Sequence, residues 1–261
     1  MPTTLILHAL CNSPLLIKHL PEASSFDREP LSPAEVSSPL NLDQKLGHLY
    51  EDALALLIQS SHRYELLERN LQLQSSIHKT QGEIDFLLRD HASGRLIHLE
   101  LAVKFYLAVQ SPDGLLLPGP DARDNFFKKL HRLRSHQLIL TKKYRDHLPA
   151  KYRNESIAPQ HLILGAVFDH ITSGHPAEAE FLSHGARRGH WLRQCELITH
   201  FPNRHIQTIP KHLWPVETSQ LPSHLLHPFS NDSPLDRCLL LKIQDHPHPI
   251  FLTPDNYPQS S

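Results

Sequence analysis

The segment Gln81–Leu107 constrains the fold more than any other stretch of the chain. It reads QGEIDFLLRD, then HASG, then RLIHLELAVKFYL. Ile84, Phe86 and Leu88 alternate with Glu83, Asp85, Leu87 and Arg89. Ile97, Leu99, Leu101, Val103, Phe105 and Leu107 alternate with His98, Glu100, Ala102, Lys104 and Tyr106. A period of two over both runs, joined by a short polar linker with Gly94, predicts a β-hairpin. A four-residue loop, His91–Gly94, pairs Asp90 with Arg95. Leu88 then faces Ile97, Phe86 faces Leu99 and Ile84 faces Leu101. A slip of one residue would set every apolar side chain against the wrong face. The same register predicts Asp85 opposite Glu100 and Glu83 opposite Ala102, with Lys104 on that polar face.

The flanking segments predict what surrounds the hairpin. Leu46, Leu49, Tyr50, Ala53 and Leu57 keep helical spacing, so a helix is expected over about Asp43–Ser60, with Asp43 as its N-cap. Tyr64–Gln74 reads as a strand. Beyond a loop at Ser111–Pro120, a second helix is expected over Asn125–Leu140. Phe126, Leu130, Leu133 and Leu140 form its apolar stripe, and Gln137 falls on that stripe. The continuous apolar run His161–Phe168 suits a central strand buried on both faces. Trp191–Phe201, Ile206–Trp214 and Arg237–Leu252 read as further short strands among prolines. The expected organisation is a loosely packed leader (1–40), an α/β core with a mixed central sheet flanked by helices (41–170), and a loop-rich C-terminal extension packed on it (171–261).

Composition removes several function classes. The 261 residues hold 9 glycines, none spaced as G-x-G and none in a G-K-[ST] motif, so neither a dinucleotide fingerprint nor a P-loop is present. There is no H-E-x-x-H. Three cysteines, Cys11, Cys195 and Cys238, are too few and too far apart for a disulfide framework, and fit a reducing cytoplasm. No apolar run approaches the roughly 20 residues of a spanning helix, and the short run Leu5–Cys11 lacks the basic flank of a signal peptide. No membrane association is expected. The formal charge of −1 conceals an uneven distribution. Arg123–Arg153 carries ten Lys/Arg against two Asp, a local charge of +8, while residues 1–60 carry −4. The basic window makes Lys128, Lys129, Arg132 and Arg134 candidates for phosphate contacts, which position a nucleic acid without reading its sequence.

Two carboxylates directly opposed on adjacent strands repel, and a cation would offset that cost. All-oxygen ligands suit Mg²⁺ or Mn²⁺. Asp85, Glu100 and Lys104 on one face form a set able to serve metal-assisted phosphodiester hydrolysis, with the lysine orienting water or stabilising charge.

The order of these parts, a helix carrying Glu51, a strand carrying Asp85, a strand carrying Glu100 and Lys104, then helix and strand, resembles the αβββαβ core of the restriction-endonuclease-like PD-(D/E)xK nucleases. The stretches KLGHLYEDALALL, GEIDFLLRD and HLELAVKFYL look like an uncharacterised bacterial family of that superfamily. The resemblance implies a Mg²⁺- or Mn²⁺-dependent nuclease acting on DNA, or on RNA. It implies metal held by Asp85, Glu100 and Glu51, Lys104 as the catalytic lysine, and Gly47 allowing close helix approach. The superfamily pattern is acid-x-Lys, whereas this chain has Ala102 where the acid is expected. Three readings are open: Glu100 acts from one pleat away, Glu83 fills the gap, or catalysis has lapsed and a nucleic-acid- or protein-binding module remains. Gln137 is a candidate for support of the site.

Overall fold

The computed structural model of the chain describes residues 1–76 and 79–258. Its elements are α1 (Pro2–Asn12), β1 (Ser24–Ser25), α2 (Leu46–Gln59), β2 (Tyr64–Ser76), β3 (Lys79–Asp90), β4 (Leu96–Leu107), β5 (Val109–Ser111), β6 (Gly114–Leu116), α3 (Phe126–Arg132), α4 (Leu140–Lys143), β7 (Ile157–His170), β8 (Arg187–Arg193), α5 (Leu197–His200), β9 (Ile206–Thr208), β10 (His227–Pro228), β11 (Leu239–Ile243) and β12 (Ile250–Thr253). The fold is mixed α/β: one large mixed sheet, flanked by helices. The strand order is β10-β9-β11-β12-β8-β7-β4-β3-β2, with β1 beside β7. β2, β3 and β4 form an antiparallel meander, and β7 runs parallel to β4 along its whole length, from Leu96↔Ile157 to Leu107↔Phe168.

The alternation in β4 and β7 explains the layers. Leu99, Phe105 and Leu107 of β4 and Leu162, Leu164, Ala166 and Phe168 of β7 enter the main core with α1 and α2. Ala102, Tyr106, Ile163 and Val167 face the opposite layer, made by the segment around Leu16–Leu20 and by α3. Both strands are thus covered on both faces. Leu49, Leu54 and Leu57 on α2 are fully buried, each stabilising by about 1.5–3 kcal/mol.

The predicted register is present from Arg89↔Leu96 to Phe86↔Leu99. It stops there. The Leu101 N–H donates to Asp85 Oδ2 (2.9 Å) instead of continuing the ladder. The expected Asp85–Glu100, Ile84–Leu101 and Glu83–Ala102 ladder pairs therefore do not form. Ile84 packs with Leu73, Leu140 and Leu148, whereas Leu101 lies against the main core.

Other expectations are corrected. Asp43 does not cap α2: the Asn41 carboxamide accepts the Asp43 N–H (3.0 Å), the chain bends at Asp43 and Gln44, Lys45 is extended, and the helix begins at Leu46. Nothing lies within 4 Å of the Cβ position of Gly47, so close packing does not require that glycine. The single helix expected over Asn125–Leu140 is broken. Asn125 caps α3 by accepting from the Phe127 and Lys128 N–H groups. Leu133–Gln137 then forms a π-helical turn, closed by the Leu138 N–H donating to the Leu133 carbonyl. The extra residue rotates the chain beyond it, so Leu130 and Leu133 stay with the second layer while Leu140 packs beneath β3 near Gly82. The strand expected over Trp191–Phe201 ends at Arg193, because the Glu196 carboxylate accepts the Arg193 N–H (2.7 Å) and starts a helical turn. Residues 1–40, read from sequence as a loose leader, carry α1, whose Ile6, Leu7 and Leu10 are buried in the main core. The C-terminal strands continue the same sheet rather than packing on it.

Candidate active site

The fork between β3 and β4 creates the site. Asp85 and Glu100 are the first residues past the last ladder pair; Glu100 faces the π-helical turn through Gln137, and Asp85 turns to the Leu101 N–H. Glu100 is buried and Asp85 half-buried. Burial, then the charge of Glu100, then that of Glu51, pushes Asp85 up to about 8. Burial pushes Glu100 up to about 8 as well, with Glu83 and Glu51 adding to the rise. Four carboxylates thus sense one another at the fork.

Glu100 is tied at both oxygens. Gln137 Nε2 donates to Oε2 (2.7 Å), and His98 Nε2 lies 2.8 Å from Oε1. His98 Nδ1 in turn lies 3.3 Å from Thr141 Oγ1. Burial lowers His98 to about 4. Near neutral pH the His98–Glu100 contact is therefore a hydrogen bond between neutral partners rather than an ion pair. The π-helical turn aims Gln137 at Glu100, which a regular helix continuing from α3 would rotate away.

The other predicted residues are more dispersed. Glu51 projects from α2, with Arg69 Nη2 and His48 Nδ1 each 3.6 Å from Oε2. Arg69 binds Asp52 more closely (2.6 Å). Glu83 is exposed and accepts from Gln72 Nε2 of β2 (3.3 Å), so it stands outside the gap beside Ala102 while its charge still reaches Glu100. Lys104 does not lean back to the acids: its Nζ donates to Asp124 Oδ2 (3.1 Å), just before α3. Opposite Lys104, Gly165 has φ +145°, and a Cβ there would stand 1.6 Å from the Lys104 carbonyl oxygen. Only glycine permits that approach. Lys128, Lys129 and Arg132 are exposed on α3. Arg134 is not free: it grips Glu22 through Nε and Nη2 (3.0 and 2.7 Å) and stacks on Phe181.

A narrow cleft of about 60 Å³ joins several of these groups, lined by Glu100, Ala102, Lys104, Lys129 and Gln137 among others. Sequence reasoning missed His98, Thr141 and Asp124. His98 carried a usable signal, since it lies two residues before Glu100 on the same strand face. Thr141 and Asp124 carried none, because only the π-helical turn and the start of α3 bring them in.

The donor chemistry fits a hard divalent cation in an open site. Asp85 Oδ1 takes no hydrogen bond among the described residues, and Glu100, which also accepts from the Asp85 backbone N–H beside its Gln137 and His98 contacts, keeps about one of its four lone-pair positions. Two oxygen ligands with room for water suit Mg²⁺ or Mn²⁺. Among the described residues, no group of three His, Cys, Asp or Glu side chains stands ready to hold a metal ion.

Fold and site together define a mixed α/β protein with a buried carboxylate cluster at a strand fork, facing a cleft with two lysines. The chain belongs to the family DUF1853, described as a domain of unknown function, which matches residues 8–242. No curated protein and no solved structure matches the chain. No helix among the described residues is long and apolar enough to cross a membrane.

Proposed function

We propose that this protein is a divalent-cation-dependent nuclease that hydrolyses phosphodiester bonds in DNA, with RNA as the alternative polymer. The observation that carries the reading is the Asp85–Glu100 pair: two carboxylates close together at a strand fork, both pushed up to about 8, with Glu100 lining a cleft that also holds Lys104 and Lys129. Such a pair is costly unless it does chemistry or holds a cation. The order α2, β2–β4, α3, β7, with β7 parallel to β4, supports kinship with the restriction-endonuclease-like PD-(D/E)xK core.

In this reading Asp85 and Glu100 hold Mg²⁺ or Mn²⁺, with Glu51 and Glu83 adding negative charge. The cation would supply a polarised water and screening of the phosphate. Gln137 and His98 fix the orientation of Glu100 through its two oxygens. Lys104 and Lys129 bring positive charge to the phosphate from the wall of the cleft. Lys128 and Arg132 hold the flanking backbone.

A second reading, a nucleic-acid- or protein-binding module on the same fold without hydrolysis, is favoured by one specific observation: Lys104 is paired with Asp124 rather than with the acids. A cleavage assay separates them. Duplex, single-stranded and branched DNA and RNA are offered with Mg²⁺, Mn²⁺ or EDTA. Expected is metal-dependent cleavage that Asp85→Ala abolishes and Lys104→Ala slows. A large loss in Glu83→Ala would show that Glu83 serves in place of the missing acid. Pure protein that cuts none of these, or Asp85→Ala that cuts like wild type, leaves the binding module as the answer.

A further inference from the structure

A second cavity, of about 420 Å³, lies across α3 from the Glu100 cleft, and Leu130 lines both. Its walls include two phenylalanine rings, Phe127 and Phe181, with Arg134 and Glu22 between α3 and the N-terminal segment. Phe181 packs at the edge of the second-layer core, whereas Phe127 does not sit where apolar burial would put it. Phe127 is 42% exposed on a helix whose neighbours Lys128 and Lys129 are also exposed. Phe181 has φ +66°, a conformation rarely adopted by a bulky residue and a mark of functional sites. It is held there by its surroundings: the Leu182 N–H donates to the Ala179 carbonyl and the Ser183 N–H to the Leu16 carbonyl. The strained residue presents its ring to Arg134, whose guanidinium carbon lies 4.3 Å from the ring centroid.

The charges are sorted. Arg134 is cancelled within the cavity by its two-pronged contact with Glu22, and Glu180 on the same wall adds an acid, so the cavity itself takes no phosphate. The uncancelled cations, Lys128, Lys129 and Arg132, lie on the outer surface of α3. The complementary ligand is flat and apolar at one end and anionic at the other. A nucleotide whose base has left its stack has that form. A base inside a duplex does not, because its faces are covered by its neighbours.

We propose that the Phe127–Phe181 cavity receives an unstacked base of single-stranded nucleic acid, so that the substrate of the neighbouring site is a single strand or the unpaired part of a branched one. The inference rests on the nuclease reading only for what happens at Glu100; the binding itself does not depend on it. The π-helical turn links the two places, since it contributes Arg134 to the cavity and Gln137 to Glu100.

The test is equilibrium binding in EDTA, where no metal-dependent cleavage occurs. Full-length protein is titrated into fluorescently labelled single-stranded DNA of about 20 nucleotides, long enough for one binding site, and into a duplex of the same length. Wild type is expected to prefer the single strand. Phe127→Ala should weaken single-strand binding about ten-fold, within the range of base–aromatic stacking, and change duplex binding less than about two-fold. Phe127→Tyr should restore the affinity, and the salt dependence should stay unchanged in both, because no phosphate contact is lost. Circular dichroism and the melting temperature identify a variant that fails to fold, in which case Phe127→Leu, which keeps apolar volume without a ring, takes its place. Equal losses on both polymers, unchanged single-strand binding, or ring-dependent binding of an aromatic peptide with none of DNA would overturn the proposal. Failure here with metal-dependent cleavage intact leaves the nuclease reading standing. Ring-dependent binding with no cleavage removes that reading and keeps this one.

Discussion

Replacing Asp85 by asparagine should stabilise the protein at alkaline pH and do little in acid. The carboxyl is pushed from 3.8 up to about 8, chiefly by burial and by Glu100. A raised carboxyl contributes its stability below the unfolded-state value and loses it as pH climbs through the folded-state value. At about 1.4 kcal/mol per pH unit, the cost of Asp85 grows from roughly 2 kcal/mol at pH 5 to a ceiling of roughly 6 kcal/mol at pH 9. The difference is about 4 kcal/mol. Relaxation of the neutralised Glu100 reduces it, so roughly 2–4 kcal/mol is expected. The asparagine side chain keeps an oxygen to accept the Leu101 N–H, so the fork survives. The assay is urea denaturation of wild type and Asp85→Asn at pH 5, 7 and 9, with and without Mg²⁺. The stabilisation should rise with pH, and Mg²⁺ should stabilise wild type more than the variant. A stability difference that does not change between pH 5 and 9 would refute the electrostatic account of the fork.

Four further outcomes are expected. His98→Leu should destabilise by about 2–3 kcal/mol in thermal or chemical unfolding, because it leaves the buried Glu100 Oε1 and Thr141 hydroxyl without their partner. Gly165→Ala should cost more than about 3 kcal/mol and reduce the yield of folded protein, since its Cβ meets the Lys104 carbonyl at 1.6 Å and φ stays at +145°. Charge reversal at Lys128, Lys129 and Arg132 together should weaken nucleic-acid binding and flatten the salt slope by about 2–3. Arg134→Ala should instead lower the melting temperature through loss of the Glu22 contact, read by calorimetry.

The local pattern of the chain determined the hairpin and its register as far as Phe86↔Leu99, because side-chain alternation is a property of consecutive residues. It placed the helix, three strands and following basic helix around the hairpin in order, though not α1 or the break in the basic helix, and it singled out Asp85, Glu100 and Gln137, which the fold does bring together. What it could not determine was where the ladder would stop. A ladder continues by default, and it ends here because the Asp85 side chain, rather than a backbone carbonyl, takes the Leu101 N–H. Nor could helical spacing reveal the π-helical turn, whose single extra residue sends Gln137 to Glu100 and Leu140 beneath β3. The partners of Lys104 and Arg134 were likewise beyond local reading. Asp124 lies 20 residues from Lys104, and Glu22 lies 112 residues from Arg134. The pairing of a long cation with an acid so far along the chain is decided by which strands and helices come to lie side by side, and only the tertiary structure settles that.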